Sequence, residues 1–251
     1  MTDPVSNAVG FLLFSYFSFS LDDLHNCRET KPFAEAIIAR ACRDASSHVL
    51  SVQGKNPNDN EPGNRPIDCI INEIAGLNHC EDYHAWHREL CVNKLPAYYN
   101  QCEWGKNGSG DDLEFSIGIA QKWVNMTMKY FMLVVDLASE YAPESLFLRE
   151  YRPIIDRHRN SLHVPIDRYI IDVLWNLDPE SIILPLKDAK TKREKSYKRP
   201  SDHVTPWSRW TDYDAYLEVQ KALRHIIKEK APIDWEGPEW IVQAKKSNGK
   251  S

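Results

Sequence analysis

Hydrophobic residues recur along this chain at intervals of three and four, the spacing of an α-helix with one buried face. This spacing predicts helices over residues 6–20, 32–52, 67–75, 80–93, 113–138, 144–159, 166–175 and 212–230. Polar stretches with glycine and proline separate them as loops at 53–66 and 105–112, and a tryptophan-bearing tail follows the last helix. Because period-two alternation of useful length is missing, we expect an all-α fold.

The helix predicted over residues 113–138 carries the most informative pattern. Gly118 and Ala120 lie two positions apart at its start, where small residues let the backbone approach a ligand and free N–H groups attract phosphate. Lys122 follows about one turn later among apolar neighbours, and this partial desolvation disfavours its ammonium form and favours a nucleophilic amine. The alternative is an ordinary lysine whose stem covers apolar surface.

A single carboxylate, Asp167, opens an otherwise apolar helix two residues after Pro165, which fixes the entry of the chain. An acidic residue at this position also accepts hydrogen bonds from free N–H groups and complements the helix dipole. Helix capping alone could therefore explain Asp167.

Two segments of the chain resemble motifs of the helix-hairpin-helix DNA glycosylases. The segment Gly118-Ile119-Ala120-Gln121-Lys122 resembles the Gly-x-Gly-x-Lys end of their hairpin, with Ala120 in place of a glycine. Val164-Pro165-Ile166-Asp167 resembles the Val-Pro-Val-Asp element that carries their catalytic aspartate. The chain is most similar to the archaeal 8-oxoguanine branch, in which a second lysine follows seven residues after the catalytic one, as Lys129 follows Lys122.

This resemblance covers about residues 116–175, and the insert between the two motifs is longer than is usual in the family. It implies one glycosylase-like unit with two helical lobes, approximately 1–104 and 105–251, and an active site in the cleft between them. It also implies base flipping, because the glycosidic bond is out of reach inside a duplex. Lys122 would then form a Schiff base with the sugar, Asp167 would be its carboxylate partner, and strand cleavage by elimination could follow.

The expected partner is double-stranded DNA with a modified base. The residues expected to contact DNA are Gly118, Ala120, Gln121, Lys129, Arg168, Lys192 and Arg193. A flipped base also needs aromatic or apolar walls, for which the candidates are Trp123, Phe131, Trp175, Trp207 and Trp210. The base itself stays open between 8-oxoguanine and a bulkier modified base, as in foreign or viral DNA.

Charge is distributed unevenly along the chain. The formal net charge is −5, which argues mildly against a protein that coats nucleic acid. Residues 187–199, however, hold seven basic and two acidic side chains, so this segment carries +5 and the remainder −10. The segment could contact a phosphate backbone, or it could be a solvated loop.

A possible metal site lies in the helix predicted over residues 80–93, where Cys80, His84, His87 and Cys91 share one face. All four are zinc-ligand types, but the first and last lie about 16 Å apart along one helix and cannot converge on one ion. We therefore favour a hydrogen-bonded polar face. Since the last cysteine is Cys102, the iron–sulphur cluster of some helix-hairpin-helix glycosylases is not expected either, and no cofactor is predicted.

Two other function classes remain open at this stage. One is a non-catalytic helical protein that binds nucleic acid or another partner, in which Lys122 contacts phosphate and Asp167 only caps a helix. The other is a zinc-supported nuclease or toxin built around His84 and His87. The apolar stretch 9–19 is too short to span a bilayer and no basic residue precedes it, so we expect a cytoplasmic protein that does not associate with membranes. We also expect a monomer, although no sequence feature determines the oligomeric state.

Overall fold

The computed structural model describes residues 4–46, 61–99, 115–177, 184–185, 200–228 and 230–247. Their regular structure is helical and includes no strand, which confirms the all-α prediction. The α-helices of these residues are α1 (Pro4–Phe17), α2 (Leu21–His25), α3 (Lys31–Ser46), α4 (Pro66–Gly76), α5 (Tyr83–Glu89), α6 (Leu95–Tyr99), α7 (Ile117–Tyr141), α8 (Leu146–His158), α9 (Arg168–Leu177), α10 (Tyr213–Ile226) and α11 (Pro232–Ser247).

Side-chain caps determine where several helices begin. Ser116 accepts a hydrogen bond from the Ile119 amide at the start of α7, and Ser145 accepts one from Leu148 at the start of α8. Asp212 accepts from two amides in the first turn of α10. Each cap satisfies an amide that has no partner inside its own helix, which is why serine and aspartate are favoured there.

A π-helical turn, Leu90–Lys94, joins α5 to α6, so helical structure continues from Tyr83 to Tyr99. Leu90, Cys91 and Leu95 are fully buried at this junction. Helical structure therefore begins at Tyr83 instead of residue 80 and continues to Tyr99, beyond the predicted end at residue 93.

Helix α7 is the central element of the fold, and its residues are buried on almost every side. It packs along α3 and against α8, while α9 packs against α11. The buried apolar side chains form one hydrophobic cluster that runs from Leu13 in α1 to Ile233 in α11. Residues of both predicted lobes thus contribute to a shared core.

Helix α11 was not predicted: a tryptophan-bearing tail was expected after residue 230, and Gly237 and Pro238 are residues that usually end helices. The structure instead continues the helix through both positions, from Pro232 to Ser247. Packing against α9 overrides the local preference here, a common outcome when a helix has a buried face. The short helix α2 was also not predicted.

Within the described residues, no helix is both long and apolar enough to cross a membrane. The basic segment 187–199, and with it Lys192 and Arg193, lies outside the described residues.

Candidate active site

The site begins at the N-terminus of α7, which the segment Trp207–Trp210 covers. The Gly118 amide donates to the Trp210 carbonyl at 2.9 Å, and the Ser116 hydroxyl donates to the Ser208 carbonyl at 2.6 Å. A Cβ atom on Gly118 would lie 1.6 Å from the Trp207 carbonyl oxygen. Glycine is therefore required at position 118 because the protein's own backbone passes there.

This packing corrects one expectation about DNA contacts. Gly118, Ala120 and Gln121 are all buried, the last two completely. The amides that open the helix donate to Trp210 and to Ser116. The structure therefore does not present these three residues to a DNA phosphate.

Lys122 extends from the same turn of α7 toward a cavity instead of the core. Its side chain is only 12% exposed, and its Nζ atom lies 4.5 Å from the centre of the Trp207 ring, in the geometry of a cation–π contact. The same Nζ atom lies 3.6 Å from Oδ2 of Asp167. The structure thus brings the two residues of the separate sequence motifs into one ion pair.

Asp167 uses its two oxygens for different purposes. Oδ1 accepts hydrogen bonds from the amides of Tyr169 at 2.9 Å and Ile170 at 3.1 Å, which caps α9. Oδ2 accepts a hydrogen bond from the Trp240 indole at 3.0 Å and faces Lys122. Capping and pairing with the lysine are therefore compatible, because each involves a separate oxygen.

The Lys122–Asp167 pair lies on the wall of a cavity of about 950 Å³. Tyr16 and Asp44 line it from α1 and α3, and the remaining lining residues lie between Lys122 and Trp240. The wall is rich in aromatic side chains, namely Tyr16, Tyr130, Tyr169, Trp207 and Trp240. A cavity of this size, with aromatic walls and a few charged groups, has the character of a small-molecule binding site.

A second charged pair lies along the same wall. Lys129, two turns beyond Lys122 on α7, forms an ion pair and hydrogen bond with Glu236 of α11. The Glu236 side chain is 2% exposed, and this burial raises its pKa while the neighbouring Lys129 ammonium acts in the opposite direction. Lys129 therefore lines the cavity, as expected of a contact residue, but its ammonium already has a partner in the protein.

The predicted aromatic walls are only partly found at the cavity. Trp207 lines it, whereas Trp123 and Phe131 lie in the core, where the Trp123 indole donates to the Ile38 carbonyl. Trp210 is also buried, and its indole donates to Thr205. Trp175 stacks on His203 and is not among the lining residues.

Several residues of the site were missed by the sequence interpretation. Trp240 and Glu236 belong to α11 and are four residues apart, so they share one helix face once that helix is recognised. Tyr16 and Asp44 come from helices far away in sequence. Arg168, predicted as a DNA contact, lines the cavity, and its guanidinium donates to the Tyr169 hydroxyl at 2.8 Å.

The predicted polar face of α5 is a buried hydrogen-bond network. His87 donates from Nε2 to Asn125 at 2.9 Å and accepts from the Tyr213 hydroxyl at 2.8 Å. His84 and His163 share a hydrogen bond of 2.8 Å. Burial lowers the pKa of His87 to about 3 and that of His163 well below its ordinary value, so both are neutral at pH 7.

This network uses both ring nitrogens of His87, so that residue has no free position for a metal. In the part of the chain that the structure describes, no three His, Cys, Asp or Glu side chains are grouped so that they could hold a metal ion. No disulfide joins the described cysteines, Cys80 and Cys91 among them.

Comparisons of this chain with protein-family models, with curated proteins and with solved structures found no match.

Proposed function

We propose that this protein is a DNA N-glycosylase with lyase activity that excises a modified base through a Schiff base on Lys122. The observation that carries the proposal is the Lys122 amine held 3.6 Å from the Asp167 carboxylate on the wall of a large aromatic cavity. An amine and a carboxylate in this arrangement can perform nucleophilic catalysis on an electrophilic carbon.

The first step replaces the glycosidic bond with a bond between C1′ and Nζ of Lys122. Oδ2 of Asp167 takes a proton from the Lys122 ammonium, which leaves a lone pair on Nζ. This lone pair attacks C1′ of the target nucleotide, and the glycosidic bond breaks so that the base departs with the bonding electrons and takes up a proton from solvent. The product is an N,O-acetal at C1′ whose nitrogen carries two hydrogens and a positive charge, and it loses one of these protons to solvent to become a neutral secondary amine.

The second step opens the sugar ring. The C1′–O4′ bond breaks, O4′ takes a proton, and the nitrogen lone pair forms the iminium of a Schiff base with Lys122. Loss of a proton from C2′ then expels the 3′ phosphate and cleaves the strand. The lyase step depends on the lysine, because a carboxylate alone would direct water to C1′ and leave an abasic site.

Alternatively, Asp167 would stay ionised and stabilise the positive charge that the sugar develops as the base departs. Its carboxylate is fixed by two backbone amides and by the Trp240 indole, so it would need little reorganisation during the reaction. Preorganised charge of this kind is commonly the largest contribution to an enzymatic rate.

The cavity would receive a flipped nucleotide, since the glycosidic bond inside a duplex cannot reach Lys122. Its walls come from residues 1–104 through Tyr16 and Asp44 and otherwise from residues 105–251, so we propose that it is the interlobe cleft of a two-lobed glycosylase fold. A volume of about 950 Å³ accommodates 8-oxoguanine and also a larger modified base. Residues 187–199 would supply further phosphate contacts.

The test is borohydride trapping on duplexes that carry 8-oxoguanine or one of a panel of other modified bases. Wild type is expected to form a covalent complex with at least one duplex, and Lys122→Gln with none. Lys129→Gln is the matched control, because it removes the other cavity lysine and should still trap. If no duplex is trapped while wild type and Lys122→Gln bind DNA equally, the protein is a non-catalytic DNA-binding protein.

A further inference from the structure

Asp167 ends a segment that has no regular secondary structure of its own. Residues Leu162–Asp167, here called the strap, connect the turn after α8 to α9, and all but Asp167 are buried. Pro165 within the strap has no amide hydrogen to donate. The strap must therefore be held in place by side chains of neighbouring helices, since its backbone polar groups need partners when they are buried.

Gln121 binds the strap immediately before Asp167. Its Nε2 atom donates to the Ile166 carbonyl at 3.2 Å, and its Oε1 atom accepts from the Ile166 amide at 3.4 Å. Nε2 also donates to the Gly118 carbonyl at 2.9 Å, which fixes the amide relative to its own helix. One fully buried side chain thus links α7 to both backbone polar groups of Ile166.

Gln220 of α10 binds Val164 in the same way, two residues earlier in the strap. Its Oε1 atom accepts from the Val164 amide at 3.0 Å, and its Nε2 atom donates to the Val164 carbonyl at 2.8 Å. Asn125 donates to the same carbonyl at 3.2 Å and to Oε1 of Gln121 at 2.9 Å. The two glutamines therefore form paired clamps on alternate residues of the strap.

We propose that Gln121 is a positioning residue that sets the distance between Lys122 and Asp167. Gln121 is adjacent to Lys122 on α7, and the residue that it clamps is adjacent to Asp167. Lys122 and Asp167 are thereby connected through one side chain and two peptide units. The Gln220 clamp acts instead from α10, and the residue that it holds is two positions further from Asp167. This inference rests on the proposed glycosylase function for its catalytic part only.

The catalytic test compares Gln121→Met with Gln220→Met in single-turnover trapping at saturating DNA. Each variant loses two hydrogen bonds to the strap from a fully buried glutamine, and Gln121→Met also loses those to the Gly118 carbonyl and from Asn125. Gln121→Met is expected to slow trapping on the order of 100-fold, because a misplacement of about 1 Å costs that much, with little change in the DNA dissociation constant. Gln220→Met should slow trapping less than about fivefold, and the melting temperatures of both variants are measured to separate a general loss of stability from mispositioning.

A third variant, Gln121→Glu, keeps the size of the side chain and one acceptor oxygen. When ionised, its carboxylate faces the Gly118 and Ile166 carbonyls without a hydrogen to donate, whereas the protonated acid can donate to one of them. The trapping rate relative to wild type should therefore rise as the pH falls. Equal slowing by both methionine variants would overturn the positioning role. So would a trapping rate of Gln121→Glu, relative to wild type, that does not change with pH.

Hydrogen exchange separates this inference from the proposed function. In Gln121→Met the Ile166 amide should exchange faster than in wild type while the Val164 amide changes less, and in Gln220→Met the order should reverse. If wild type traps on no duplex, the glycosylase proposal fails but these exchange rates still test the clamp. Unchanged exchange at Ile166 in Gln121→Met would refute the clamp whatever the activity.

Discussion

The two oxygens of Asp167 allow its structural and chemical roles to be separated by substitution. Oδ1 caps α9, and Oδ2 accepts from Trp240 and pairs with Lys122. Asp167→Ser keeps one oxygen that can cap α9, in the way that Ser116 and Ser145 cap their own helices in this protein. It has no second oxygen to pair with Lys122. Asp167→Ala removes both functions.

The expected free energies follow from these contacts. Both variants lose the acceptor of a partly buried indole and one ion pair, together about 1 to 2 kcal/mol of unfolding free energy. Asp167→Ala also loses the cap, which costs about 1 kcal/mol more. The difference between the two variants therefore measures the cap alone, because they share every loss at Oδ2.

The trapping rates should behave differently from the stabilities. Asp167→Ser and Asp167→Ala are both expected to slow borohydride trapping by about 100-fold or more, since neither can take the lysine proton or face the sugar cation with a charge. Urea unfolding and single-turnover trapping on the same preparations provide both quantities. If Asp167→Ser traps at the wild-type rate, Asp167 is only a helix cap and the catalytic assignment is refuted.

Two further predictions concern the packing around the site. Gly118→Ala should lower the free energy of unfolding by about 1 to 3 kcal/mol in urea melts, because its Cβ meets the Trp207 carbonyl. Gly10→Ala, with open space around the new Cβ, should not destabilise the protein. Equal effects of the two substitutions would refute the close approach of Trp207 to Gly118. The free energy of unfolding should also fall between pH 7 and pH 5. Buried His87 and His163 stay neutral in the folded protein while the unfolded chain takes up protons below pH 6.5, at about 1.4 kcal/mol per pH unit for each histidine fully protonated on unfolding. Equal free energies of unfolding at pH 7 and pH 5 in urea melts would contradict the predicted decrease.

The pairing of Lys122 with Asp167 was expected only from the resemblance of their two motifs to those of the helix-hairpin-helix glycosylases, since their helix positions alone also fit an ordinary lysine and a helix cap. The all-α class could be predicted from the sequence itself, since helical periodicity is a local property. The cavity walls could not, because Tyr16 and Asp44 reach the site only through the packing of α3 against α7 and of α1 against α3. Long-range packing of this kind leaves no periodic signal.

Two specific errors illustrate the same limit. Gly118 was expected to let the backbone approach a ligand, whereas the Trp207 carbonyl of the protein itself lies there, and a glycine does not indicate which of the two approaches. No helix was predicted after residue 230, while burial of one face of α11 stabilises a helix through Gly237 and Pro238 and thereby places Trp240 beside Asp167. Local propensity is a weak guide wherever tertiary packing determines the outcome.

The most direct test of the proposed mechanism is to locate the covalent bond. After borohydride trapping of wild type on the best duplex, nuclease and protease digestion followed by mass spectrometry identifies the residue that carries the reduced sugar. The mechanism predicts the adduct on Lys122 alone. An adduct on Lys129 or on the N-terminal amine would contradict it, because the pairing with Asp167 would then have no part in forming the bond.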